Sequence, residues 1–135
     1  MLYNIVVFFV KIYYKIIFLA KAEGKENIPK TGGVILCANH QSFRDPIIIA
    51  AFSPRKLKFL SKIELFKNKF FAWFLREVGC VPIDRNGGDL KAMRSCIKIL
   101  KDDNPLMLFP EGTRSCVHME DVKPGALLFA TKANV

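Results

Sequence analysis

The chain predicts an α/β fold with a mainly parallel central sheet flanked by helices, and three observations predict it. Short apolar runs alternate with helical stretches from Val34 onward, the rhythm of βαβ units with helices on both sheet faces. Two of these runs, Val34–Ala38 and Leu106–Phe109, lead into polar turns, Asn39-His40-Gln41-Ser42-Phe43-Arg44-Asp45-Pro46 and Phe109-Pro110-Glu111-Gly112-Thr113-Arg114-Ser115. Polar turns at strand ends are where open α/β sheets place their active sites. The length, 135 residues with 51% hydrophobic content, suits one packed domain and argues against disorder.

The elements follow in order. Residues 1–20 are almost wholly apolar, and Asn4, Lys11 and Lys15 fall on one helical face. The opposite face carries Leu2, Ile5, Val6, Phe9, Ile12, Tyr13, Ile16 and Ile17. A signal peptide puts its charge ahead of the apolar stretch, whereas these lysines lie inside it. A spanning helix needs about 20 apolar residues, and the lysines interrupt the run. A helix lying in a membrane interface, lysines reaching the headgroups, fits best. A helix packed on the domain's own core is the competing reading. The expected division is a membrane-associated helix over 1–22 and an α/β domain over 23–135, with Glu23–Gly33 as the loop between them.

Val34–Ala38 reads as a central strand. Asp45 is the expected N-cap of a helix, with Pro46 at its first position, running to Phe52 and stopping near Ser53-Pro54. Leu57–Ser61 reads as a second strand. Asn68 caps a helix over Lys69–Val78, closed by Gly79. Cys80–Ile83 is a third strand. Asn86-Gly87-Gly88 marks a turn, Asp89 caps a helix to Lys101, and Asn104-Pro105 breaks it. Leu106–Phe109 is the fourth strand, and Pro124 opens a last helix to about Ala133. An alternating chain continues with another strand there, so the sequence predicts a domain whose C-terminal part is missing.

The net charge of +9, from 21 basic and 12 acidic residues beside 12 phenylalanines, suits an anionic membrane surface or anionic substrate. No basic arm, zinc-finger spacing or aromatic RNA-binding motif points to nucleic acid. Cysteines 37, 80, 96 and 116 form no CxxC pair and read as buried free thiols in a reducing cytoplasm. A Cys37–His40 nucleophile pair is the less favoured alternative. His118 stands two residues after Cys116 in a polar loop, a spacing wrong for a structural zinc site.

His40, one of two histidines, can act as a general base if a carboxylate fixes its tautomer, and Asp45 is close enough across a tight turn. The same residues also fit a plain helix cap beside a solvated loop histidine, and both readings stand at this level. No serine has the GxSxG setting, so direct transfer to an acceptor hydroxyl suits the pair better than an acyl-enzyme.

Asn39–Pro46 resembles the NHxxxxD block of the glycerolipid acyltransferases, and Phe109–Ser115 resembles their FPEGTRS block. Their order and spacing are most similar to the bacterial 1-acyl-sn-glycerol-3-phosphate acyltransferases. Gly79-Cys80-Val81-Pro82-Ile83-Asp84-Arg85 resembles the family's glycerophosphate-binding block. The resemblance implies His40 as base with Asp45 as its orienter, Arg85 and Lys62 as phosphate contacts, and Glu111 near the glycerol phosphate. It implies Gly112, Thr113 and Arg114 as further substrate-binding positions. A solvated surface charge is the plain alternative for Arg85, and an ion pair with a neighbour for Arg114. The family's proline-containing fourth block is absent.

The implied reaction moves a fatty acyl group from acyl-CoA or acyl carrier protein to the sn-2 hydroxyl of lysophosphatidate at the cytoplasmic face of the cell membrane. The resemblance implies no metal and no bound cofactor, the acyl thioester being a substrate. Another lysolipid or glycerol 3-phosphate as acceptor, and a non-catalytic anionic-lipid-binding module, are the alternatives. A hydrolase is least favoured.

From Arg55 to Lys69 there are six basic residues and one acid, Glu64, followed by Phe70, Phe71, Trp73 and Phe74. This pattern suits a bilayer interface or coenzyme A phosphates, and equally a helix burying its aromatics beneath solvated lysines.

Overall fold

The computed structural model describes residues 2–42, 44–84, 89–109 and 125–135. The elements are α1 (Leu2–Ile17), β1 (Val34–Cys37), α2 (Asp45–Phe52), β2 (Lys58–Lys62), α3 (Lys69–Glu77), β3 (Cys80–Ile83), α4 (Asp89–Lys101), β4 (Pro105–Leu108) and α5 (Gly125–Ala133). The four strands form one sheet in the order β1-β4-β2-β3, and every pair is parallel. The predicted α/β architecture is present.

Strand side chains alternate between two apolar layers, as the period of two requires. Leu36, Phe59, Cys80 and Met107 join Tyr3, Ala50, Ile49 and Val78 on one face. Ile35, Leu60, Val81 and Leu106 join Cys96, Ile99, Leu100 and Ala133 on the other. Connection handedness explains this sorting. The steps from β1 to β2 and from β2 to β3 run the same way across the sheet, so right-handed crossovers put α2 and α3 on one face. The step from β3 to β4 runs back, which puts α4 on the other.

Several element ends follow from local chemistry. Asn68 Oδ1 accepts the Phe71 N–H at 3.1 Å, the expected cap of α3. Gly79 has φ +93, and a Cβ there would lie 2.3 Å from the Leu57 carbonyl oxygen, so only glycine passes from α3 into β3 so close to the β2 approach. At the end of α4, Asp103 is left-handed at φ 57. Its N–H donates to Leu100 O at 3.1 Å and that of Asn104 to Ile99 O at 3.1 Å, a Schellman closure completed before Pro105. Arg55 ties this corner down, with Nη1 on Pro29 O at 2.9 Å and Nη2 on Asp103 O at 2.7 Å.

Three expectations need correction. β1 lies at one end of the described sheet and not at its centre, because β4 pairs between it and β2. Asp45 is not the N-cap of α2: Arg44 holds that position, Asp45 is the first helical residue, and no side chain caps the helix. The carboxylate turns back toward the preceding turn instead. Cys37 is exposed rather than buried, whereas Cys96 is fully buried and Cys80 partly so. Cys37 is the last residue of its strand.

Helix α1 packs on the domain's core through its first turn and leaves most of its other large apolar residues exposed. Tyr3 is buried in the first core layer with Val7 packed beside it, and its hydroxyl accepts the Leu57 N–H at 3.3 Å. Burial, only partly offset by that backbone bond, raises the Tyr3 pKa, which keeps the phenol neutral. Beyond this first turn, Phe8, Phe9, Tyr13, Ile16, Ile17, Phe18 and Leu19 are all exposed. At about 1.5 Å per residue, the 16 residues of α1 extend about 24 Å. Among the described residues no helix is long and apolar enough to cross a membrane.

Candidate functional site

Of the candidate residues, the structure describes His40, Asp45 and Lys62, and the parallel strands direct the turn after β1 and the end of β2 to the same edge of the sheet. β1 pairs with β4 so that Cys37 faces Leu108, and the Ala38 N–H donates to Leu108 O at 3.2 Å. The chain therefore leaves β1 at Ala38 and β4 at Phe109 side by side, which brings Asn39 and His40 next to Phe109. Lys62 ends β2 and lies opposite Ile83, the last residue of β3. Arg85, Glu111, Gly112, Thr113 and Arg114 lie outside the described residues, as do Cys116 and His118.

His40 and Asp45 meet: Nδ1 lies 3.1 Å from Asp45 Oδ2, with about a fifth of each side chain exposed. An ionised carboxylate only accepts, so Nδ1 carries the proton and Nε2 is left as the free basic nitrogen. The same Oδ2 accepts the N–H of Gln41 and of Ser42, each at 2.7 Å. These bonds fold residues 40–45 back on themselves and close the gap that five residues would otherwise open. Partial burial pushes the Asp45 carboxyl up, but the N–H groups of Ser42 and Gln41 and the His40 ring together outweigh it, and its pKa ends below the ordinary value of 3.8. The carboxylate is thus ionised at neutral pH and able to stabilise an imidazolium.

One face of the imidazole is covered by a residue that sequence reasoning missed. The Phe109 ring stacks on His40 at 4.2 Å between centroids and 30° between planes. Its signal was its place as first residue of the second block, read only as the end of a strand. Although Cys37 is exposed, partial desolvation of its thiol raises the pKa, the opposite of what a reactive thiolate needs. Lys62 is exposed at the same sheet edge.

Two open cavities meet at α2. The first, about 150 Å³, is lined by Asn39, Gln41 and Asp45 together with Ile48 and Ile49. The second, about 280 Å³ and mainly apolar, shares Ile48 and Ile49 and continues past Leu36 and Phe52 to Ala20 and Ile28. A cavity with polar groups from the His40–Asp45 turn, next to an apolar groove that shares two of its residues, suits a polar head and a hydrocarbon chain.

Comparison with known proteins agrees with this geometry. The acyltransferase family model matches residues 20–135. The 1-acyl-sn-glycerol-3-phosphate acyltransferase of Streptococcus pneumoniae is 42% identical over 103 residues, covering 75% of this chain and 38% of that protein. The enzyme of the same name from Bacillus subtilis is 33% identical over 113 residues, covering 82% of this chain and 55% of its own length. The crystal structure of the 1-acyl-sn-glycerophosphate (LPA) acyltransferase PlsC from Thermotoga maritima superposes with a TM-score of 0.77 at 32% identity, covering 98% of this chain and 54% of that one. The chain thus spans little more than half the length of these relatives, or less. With its fold, its two turn motifs and this match over nearly all of the domain, the chain belongs to the acyltransferase family.

Proposed function

We propose that the protein transfers a fatty acyl group from acyl-CoA or acyl carrier protein to the sn-2 hydroxyl of lysophosphatidate, forming phosphatidate. The observation that carries this reading is the His40–Asp45 contact beside an apolar groove, in a chain whose relatives bear that activity in their names. His40 Nε2 takes the proton of the acceptor hydroxyl as its oxygen attacks the thioester carbonyl. The tetrahedral intermediate collapses, the carbon–sulfur bond breaks, and the imidazolium returns its proton to the departing thiolate. Asp45 orients the ring and balances its charge throughout.

Lys62 and Arg85 are the phosphate contacts in this reading, and Lys62 supports it by ending β2 opposite Ile83, the last residue of β3. Neighbouring strands lie about 4.8 Å apart, so β2 is about 10 Å from β1, a gap that a lysine side chain and a phosphoglycerol bridge together. Glu111, Gly112, Thr113 and Arg114 complete the acceptor site in this reading, because they follow closely on Phe109, whose ring stacks on His40. The acyl thioester enters as a substrate and the scheme uses no metal or bound cofactor. The exposed apolar side of α1 rests in the cytoplasmic face of the membrane, with the substrates delivered from that surface.

The test is thiol release from an acyl thioester with and without lysophosphatidate. We expect release that depends on the acceptor, and its abolition in His40→Ala with lipid binding retained. Free fatty acid formed without acceptor indicates a hydrolase, and turnover retained in the variant rejects His40 as base.

A further inference from the structure

Helix α3 exposes the aromatic residues that an amphipathic core helix would bury. It buries Ala72 and Leu75, whereas Phe70 is 76% exposed, Trp73 51% and Phe71 44%. The Phe70 and Trp73 rings lie 5.9 Å apart and form one continuous apolar surface. The preceding 3-10 turn, Ile63–Phe66, extends it with Ile63 at 46% and Leu65 at 43%. Lys62, Lys67 and Lys69 stand exposed around this surface, with Glu64 the one acid among them. Arg76 adds its guanidinium 5.5 Å above the Phe66 ring. Arg55, by contrast, is engaged on two backbone carbonyls and takes no part.

We propose that α3 and the turn before it form a second docking surface for an anionic lipid bilayer. The inference goes beyond the reading above, which sets the bilayer against α1 alone, and does not depend on acyl transfer. Large aromatics ringed by lysines suit a headgroup region, where rings sit at the interface and ammonium groups meet lipid phosphates. The placement supports one continuous membrane face. α1, α2 and α3 share one side of the sheet, and Lys56 lies 5.0 Å over the Tyr3 ring of α1, so basic charge continues from the α2–β2 connection to α1.

Trp73 is the chain's one tryptophan, so its fluorescence reports this surface and no other. The protein is mixed with vesicles of phosphatidylcholine alone or with phosphatidylglycerol, and binding is followed in parallel by sedimentation. With anionic vesicles the Trp73 emission should shift to shorter wavelength and be quenched by lipids brominated on their acyl chains. Lys67→Gln/Lys69→Gln should weaken partitioning by about 30-fold, at about fivefold per lysine, with an unchanged circular dichroism spectrum.

Vesicle binding with Trp73 unmoved and the lysine variant unaffected overturns the proposal while leaving the α1 reading intact. Absence of any vesicle binding overturns both. A Trp73 response to acyl carrier protein or coenzyme A but not to vesicles assigns the surface to the acyl donor instead. A stable dimer that buries Trp73 without lipid assigns it to a second copy of the chain.

Discussion

Asp45→Asn is the sharpest perturbation of the proposed mechanism, because one oxygen of this residue serves three donors. Oδ2 accepts from the Gln41 and Ser42 N–H groups at 2.7 Å and from His40 Nδ1 at 3.1 Å. Asparagine keeps the shape and one acceptor oxygen but removes the charge. Hydrogen bonds to a charged group contribute about 1.5–3 kcal/mol each against about 1 for neutral ones. With a fifth of the side chain exposed and solvent screening the difference, the stability loss should be about 1–2 kcal/mol in urea unfolding at pH 7. Catalysis should suffer more, since the imidazolium formed in the transition state loses its counter-charge. A loss of about 10²- to 10⁴-fold in kcat is expected, equal to about 3–5 kcal/mol. Because the two residues act as a unit, His40→Ala/Asp45→Ala should be no slower than His40→Ala alone. The pH dependence has a definite sign. The folded carboxyl titrates below its ordinary value of 3.8, so its stabilisation is complete above that value and is lost as the pH falls through the lower folded-state value. The stability gap between wild type and Asp45→Asn should hold through neutral pH and close only in that acid range. An Asp45→Asn protein that keeps more than about a tenth of kcat refutes the coupling of the pair.

Two further outcomes follow from contacts already described. Phe109→Leu keeps bulk but removes the ring face on His40, so kcat should fall by about 3- to 10-fold, in line with about 0.5–1.5 kcal/mol for such a ring contact, while the melting temperature changes little; an unchanged kcat rejects ring positioning by Phe109. Gly79→Ala places a Cβ 2.3 Å from the Leu57 carbonyl oxygen at φ +93, so urea unfolding should show a loss of about 3 kcal/mol or more, and a loss under about 1 kcal/mol shows that the β2 approach yields freely.

The alternation of elements was legible because each strand is a short apolar run and each helix has its own start or stop residue. Asn68 and Gly79 do what their types suggest, through a cap bond and a positive φ. Asp45 was misread because aspartate before proline at a helix start usually caps forward, whereas here the turn closes backward on the carboxylate. A linear pattern does not encode that direction. The aromatic run of α3 was ambiguous for a related reason: periodicity marks a helix but does not say which face finds a partner, and here Ala72 and Leu75 face inward. Strand order was also beyond the sequence, and with it the contact of Phe109 with His40. That contact exists because β4, far from β1 along the chain, pairs directly with it.

The position of β4 in the sheet also bears on how the protein comes into being. Among the described residues β1 has no hydrogen-bonded neighbour strand other than β4, and β4 joins it to the β2–β3 pair. During synthesis the chain carries His40 and Asp45 long before the strand that sets them beside the second turn has emerged. Until β4 inserts between two strands made earlier, no continuous sheet exists and the Phe109 face of His40 is missing. Such long-range pairing slows folding, since the chain must close a large loop before the contact rewards it. Assembly of the site is therefore a late event, and a nascent or partly unfolded chain has its base in hand without a place to use it.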